Sequence, residues 1–311
     1  MPSSSPAPAR TPASIVVAAF KQLRARQWSK NALLFAALIF SGQFTVPESV
    51  VNAVAAFLSF SLLASAGYVF NDYLDRAADR NHPKKRFRPI ASGALPEGLA
   101  IVLMIALLVS GVLIAQWIGG LFVFAALAYL LTTLAYSFFF KHIVILDVMV
   151  LASCYVWRVV GGALAITVHV SAWLFLCTAF LALFIGFNKR RAELRELGDK
   201  AGTRKSLVQY NARMLEEFQS ITTANTIVSY ALYTVLGAQT PWMALTIPFV
   251  LYAVFRYVFL VEQNGEGAAP DETLLTDIPI LVTAVLYAVT AVTVILLDRS
   301  GMLTNILPQM R

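Results

Sequence analysis

The sequence predicts an all-α, polytopic membrane protein, a bundle of nine transmembrane helices, and three observations carry that expectation. Hydrophobic residues fill 59% of the 311 positions and charged residues only 13%, about half the roughly 25% usual in soluble domains, with a mean hydropathy of +0.71. Nine windows, at 28–46, 47–70, 97–117, 119–139, 143–166, 171–188, 218–237, 241–261 and 278–297, come close to the roughly 20 apolar residues that a crossing helix needs. Lys and Arg crowd alternate connections between those windows. Too little chain remains for a sizeable soluble domain, so function must reside in helices and short loops.

Taken in order, residues 1–14 are rich in Pro, Ser and Ala and contain no apolar run. They are expected to form a disordered cytoplasmic tail, not a cleaved signal peptide, with one membrane domain over 15–311. The stretch from Phe20 to Asn31 interleaves Phe20, Leu23 and Trp28 with Lys21, Arg24, Arg26 and Lys30, the pattern of a basic helix lying in the headgroup plane. Such a helix either anchors the chain or recruits an anionic lipid. The first window is the weakest, because Trp28, Lys30 and Asn31 intrude at its start. Tyr136 and Lys141 close the fourth window and Asp147 opens the fifth. Arg158 falls deep in the fifth, where a charge must face the bundle interior or a watery cavity. A tie to helix carbonyls or another span, and a place in a cavity wall, are both open to it. Asp147 is too far away to pair with it, about 16 Å along a helix. Cys154 and Cys177 both fall inside apolar windows, which excludes a disulfide framework or a zinc site.

The net charge of +7 is informative once assigned to connections. Five cations lie before the first window or at its start, six separate the second from the third, and eight run from Lys189 to Arg213, whereas the connections near 41–46, 118, 167–170 and 238–240 hold none. By the positive-inside rule the N-terminus and the charged loops, 71–97 and 188–217, are cytoplasmic and cap a site at that face of the cell inner membrane. An odd number of spans puts the C-terminus outside. The acidic connection 262–277 reads as a solvated cytoplasmic loop. The basic residues are accounted for by the bilayer and by phosphate ligands, and no nucleic-acid partner is expected.

The first charged loop carries the sharpest chemistry. Asp72, Asp75 and Asp79 are spaced i, i+3, i+7, which on a helix sets three carboxylates on one face, and Asn71 adds an amide oxygen. Acids gathered in this way need a cation. Lys or Arg could supply it, but oxygen ligands at this spacing also suit Mg²⁺, which keeps waters and binds substrate phosphates, and a metal–phosphate site is the sharper reading. A basic run follows, Lys84, Lys85, Arg86 and Arg88, ended by Pro89 and Gly93. In the second loop Lys189 and Arg190 stand four and three residues before Glu193, so cations and a carboxylate share one helical face. His82, His142 and His169 form no metal or triad spacing, and no nucleotide-binding glycine motif or nucleophile elbow precedes a helix. Hydrolase, ATPase and nicotinamide chemistry are thereby unsupported.

The pattern Asn71-Asp72-x-x-Asp75-x-x-x-Asp79 at the end of the second window resembles the first Asp-rich motif of the UbiA superfamily of intramembrane prenyltransferases. That resemblance implies a nine-helix bundle binding Mg²⁺ and a diphosphate at a cytoplasmic mouth. Most of the superfamily carries further aspartates in a second motif, where this chain has Lys189, Arg190 and Glu193. Together with Arg24-x-Arg26-Gln27-Trp28-x-Lys30-Asn31 and with Lys85-Arg86-Phe87-Arg88-Pro89-Ile90, this looks like the decaprenyl-phosphate phosphoribosyltransferase branch. The branch implies transfer of 5-phosphoribosyl from phosphoribosyl diphosphate to a polyprenyl phosphate, toward lipid-linked pentose for cell-envelope glycans.

On that basis the metal is assigned to Asn71, Asp72, Asp75 and Asp79, with Asp72 and Asp75 essential to catalysis. The donor's phosphates are assigned to Arg86, Arg88, Tyr136, Lys141, Lys189, Arg190 and Glu193, and the lipid acceptor to Arg24, Lys30 and Asn31. Two other readings stand beside this one. Prenyl transfer to an aromatic ring would call for a second Asp-rich motif, and a non-enzymatic carrier of lipid phosphates would explain the basic loops but not the acidic face.

Overall fold

The computed structural model describes residues 11–83, 85–169, 171–197, 206–264 and 276–303. Its regular structure is helical throughout these residues. Seven helices are long and apolar enough to cross a membrane. These are α3 (Pro47–Leu74), α5 (Glu97–Ile118), α6 (Gly120–Phe138), α7 (Leu146–Ala165), α8 (Ala172–Leu197), α10 (Ile247–Asn264, extended by a 3₁₀ stretch from Pro241) and α11 (Ile278–Arg299). The two remaining windows take other forms. Residues 28–46 become a 3₁₀ segment, Ala25–Leu34, followed by the short α2, Phe35–Phe40. Residues 218–237 become α9, Ala212–Leu232, ending in a π-helical turn at Tyr233–Gly237.

Lipid is as apolar as leucine, so close packing rather than exclusion of water holds such helices together. The central helix α3 supplies the small residues for it: Ala53, Ala56, Ser59, Ala64, Ala66 and Gly67 are buried along its length. Gly111 lets α5 approach so closely that a Cβ there would stand 2.9 Å from Leu63, and Ser59 Oγ donates to the Gly111 carbonyl at 2.8 Å. Phe60 fills the space between α3 and α6, with ring centres 4.8 Å from Tyr129 and 5.8 Å from Phe122. Val102, Ile105, Val109 and Leu113 form an exposed stripe on α5 at helical spacing, the face left for lipid.

The irregular first span has a packing cause. A Cβ on Gly162 of α7 would fall 2.1 Å from the Leu34 carbonyl oxygen, so α7 lies directly against the backbone where the 3₁₀ segment passes into α2. Asn31 is fully buried there, donating to Ser61 Oγ at 2.9 Å and accepting from Arg158 Nε at 2.7 Å. Arg158 also donates to the Cys154 carbonyl and the Tyr129 hydroxyl. Of the two roles open to Arg158, the structure shows the tie between spans.

A helix outside the bundle, α1 (Pro12–Gln22), begins with Thr11 as N-cap and Pro12 in its first turn. Ala18 packs with Ala66, Val69, Ile90 and Leu95, while Val16, Val17 and Phe20 are exposed, as expected of a helix lying on a membrane surface. The expected tail lies mostly outside the described residues, as do Lys84, the stretch 198–205 and the middle of the acidic connection. The ends of that connection are structural. Glu262 pairs with Arg191 and Arg195, and Asp277 caps α11 while binding Arg256 at 2.9 Å.

Candidate active site

The ends of α3, α6 and α8 and the start of α7 gather at one end of the bundle. Phe70 of α3 meets Phe138 of α6 edge-on at 5.6 Å. The ends of α2 and α11 and the 239–241 turn meet at the other end, where Arg299 donates to the Ser41 carbonyl and Thr240 to Asp298.

At the charged end, α3 stops at Leu74 and a short helix, α4 (Arg76–Arg80), follows through Asp75. The backbone bends at Asp75, with φ −84° and ψ −2°. This bend divides the expected three-acid face: Asp72 and Asp79 turn inward and are each 3% exposed, whereas Asp75 faces out. Asn71 is half-buried beside them.

Two guanidinium groups hold the inward pair. Arg24 Nη2 contacts both Asp72 oxygens, at 2.7 and 2.6 Å. Arg88 Nη1 bridges the two carboxylates, 3.0 Å from Asp72 Oδ1 and 2.7 Å from Asp79 Oδ2. Gln22 Nε2 adds a donor to Asp72 Oδ2 at 2.8 Å.

Arg24 reaches Asp72 because the chain turns sharply between α1 and the 3₁₀ segment. Its own backbone is left-handed, φ 52° and ψ 47°, a conformation costing about 1–3 kcal/mol in a non-glycine residue. Contacts at matched heights on α3 hold that turn: Arg24 to Asp72, Trp28 Nε1 to Ser65 Oγ at 3.0 Å, and Asn31 to Ser61. The Arg24 guanidinium also lies over the Tyr68 ring at 5.1 Å.

Asp147 organises the second loop. It is fully buried at the start of α7, with Oδ2 3.0 Å from Arg190 Nε, and its Oδ1 accepts from the Tyr210 hydroxyl at 2.7 Å. Ser206 Oγ donates within 3.2 Å of both Asp147 and the Lys141 carbonyl, and the Ile145 amide donates to the Tyr210 oxygen. Burial first, and then the bond to Asp147, push the Tyr210 phenol above its ordinary pKa. The phenol therefore stays a neutral donor.

The donor residues expected from the sequence are thus divided. Arg190 is only 2% exposed and is committed to Asp147 and Glu193, so it orients α8 rather than presenting a free charge. Lys189, Tyr136 and Lys141 are half-buried at the same mouth. Arg86 is exposed and stacks on Phe87 at 4.8 Å. Of the acceptor set, Lys30 is half-buried on the 3₁₀ segment, Asn31 is inside the bundle and Arg24 is on Asp72. Gln22, Ser206 and Tyr210 escaped the sequence reading, since none falls in a charged motif.

A model of the UbiA prenyltransferase family matches residues 32–275. The chain belongs to that family. Among its relatives are proteins named decaprenyl-phosphate phosphoribosyltransferase, from Mycobacterium tuberculosis at 35% identity, covering 86% of this chain and 90% of the relative, and from Corynebacterium glutamicum at 34%, covering 86% and 83%. A solved UbiA homologue from Archaeoglobus fulgidus, described as bound to GPP and Mg²⁺, superimposes with a TM-score of 0.70 over 89% of this chain and 99% of that one, at 23% identity. It shares the UbiA fold.

A divalent metal fits this mouth in one particular way. Among the described residues no three acidic, histidine or cysteine side chains converge into a cage. Asp72 and Asp79 offer hard oxygen ligands spanned by a single guanidinium. Two carboxylates completed by substrate phosphates and water match what Mg²⁺ accepts, so the set suits a metal that arrives with its phosphate ligand.

Proposed function

We propose that this chain transfers 5-phosphoribosyl from phosphoribosyl diphosphate to a polyprenyl phosphate, releasing diphosphate, at the cytoplasmic face of a cell inner membrane. The observation that carries this reading is the identity of about a third, over 86% of the chain, to relatives named for decaprenyl-phosphate phosphoribosyl transfer. The charge pattern supports it. A donor with a 5-phosphate besides its diphosphate asks for cations around the metal, and the second loop offers Lys189 where further carboxylates would otherwise serve a second metal.

Asp72 and Asp79, assisted by Asn71 and the outward Asp75, would hold Mg²⁺, whose charge offsets that of the departing diphosphate. Arg88 and Arg24 neutralise the carboxylates; Arg88 is placed to turn to the donor's phosphate oxygens, and Arg24, with Lys30, to the acceptor phosphate. Lys189, Lys141, Tyr136 and Arg86 complete the grip on the donor, with Arg190 and Glu193 fixing the end of α8. Lys30, where the surface segment enters the bundle, holds the acceptor phosphate, and Asn31 fixes its segment. The acceptor is an ionised phosphate and needs no general base. Its oxygen bonds to C1 as the C1–diphosphate bond breaks, and the basic side chains stabilise the negative charge that leaves.

A choice between donors tests the reading. Diphosphate release from phosphoribosyl diphosphate should rise when polyprenyl phosphate is added. Turnover of a prenyl diphosphate with an aromatic acceptor, and none of phosphoribosyl diphosphate, would move the chain to ordinary prenyl transfer. Binding of lipid phosphate without any turnover would make it a carrier.

A further inference from the structure

We propose that Gln22, the last residue of the surface helix α1, is an oxygen ligand of the metal site, directly or through a metal-bound water, so that α1 forms one wall of that site. The inference rests on the metal reading above and adds a residue outside the Asp-rich motif. Gln22 is 1% exposed, and its Nε2 donates to Asp72 Oδ2 at 2.8 Å. That bond fixes the amide's orientation, because the reverse would set two oxygens against each other. The other branch of the same amide, Oε1, is buried without a hydrogen-bond partner among the described residues. A buried amide oxygen left unpaired is costly. It calls for an electropositive partner one amide away from the carboxylate most strongly implicated in metal binding.

The charge balance favours a neutral oxygen here. Asp72 and Asp79 are already matched by Arg24 and Arg88, and a third buried carboxylate would stand unpaired whenever the metal is absent. An amide contributes a ligand without that penalty, while its N–H keeps Asp72 in register. The placement is rigid. Ala18, one turn earlier on α1, packs into the bundle, and the Leu23 carbonyl accepts from Ser65 Oγ at 2.8 Å.

Mn²⁺ retained by the detergent-solubilised full chain in equilibrium dialysis against Mn²⁺ and inorganic diphosphate, which supplies the phosphate ligands such a site takes, tests this apart from activity. Gln22→Met should weaken Mn²⁺ binding about tenfold, and Gln22→Glu should bind at least as tightly as the wild type. A residue that only braced Asp72 would behave differently, since a glutamate there loses the N–H and repels the aspartate. Weakening in both variants, or unchanged binding in Gln22→Met, would overturn the proposal while leaving the metal reading intact. If Gln22→Met fails to fold by its thermal melt, the Glu variant decides alone. No Mn²⁺ binding by the wild type would remove both the proposal and the metal reading.

Discussion

At the scale of single residues, the proposed function divides groups that meet metal or substrate from groups that hold them in place. Asp72 is expected to be indispensable. Asp72→Asn should abolish turnover, and turnover that persisted in that variant or in EDTA would remove the metal from the account. Lys189→Met should raise KM for phosphoribosyl diphosphate about tenfold, the loss of one charge-assisted contact worth roughly 1.5–3 kcal/mol. Lys30→Met should spare that KM and raise the one for the lipid. Equal effects of both variants on one substrate would end the division between donor and acceptor. Arg190→Met belongs to another class. It strands Asp147 in the interior, where breaking a buried pair costs about 3–5 kcal/mol, so calorimetry should show a lower melting temperature before any kinetic change. The charged motifs were legible as sequence because spacing alone gathers them. Gln22 and Tyr210 were not, since their roles come from neighbours 50 and 63 residues away, Asp72 and Asp147.

At the scale of elements, hydropathy located the spans without revealing their form. The weak first window is a crossing stretch by composition, yet the chain there winds as ten residues of 3₁₀ helix, longer than such runs usually are. Its cause lies in Gly162, whose missing side chain admits the Leu34 backbone, and in the ties from Ser61, Ser65 and Asp72. Gly162→Leu should therefore displace the 3₁₀ segment. Faster hydrogen exchange over 25–34 would report the displacement, and unchanged exchange would contradict the packing argument. The three-acid face was half legible: the i, i+7 pair converges as helical geometry requires, while Asp75 escapes because α3 ends one residue before it.

At the scale of the whole molecule, the proposed function requires one catalytic mouth at the cytoplasmic end of a UbiA bundle. Reporter fusions at positions 169 and 240 should report the opposite side of the membrane from fusions within 71–97, and cytoplasmic signals at both would invert or break that topology. The most direct test of the central claim follows the sugar itself. Purified protein is supplied with phosphoribosyl diphosphate labelled in the ribose ring, polyprenyl phosphate and Mg²⁺, and the organic extract is counted. Label should enter the lipid phase in step with diphosphate release, only when polyprenyl phosphate is present, and should vanish with EDTA or in Asp72→Asn. Label confined to the aqueous phase while the same preparation transfers a prenyl group would contradict the account.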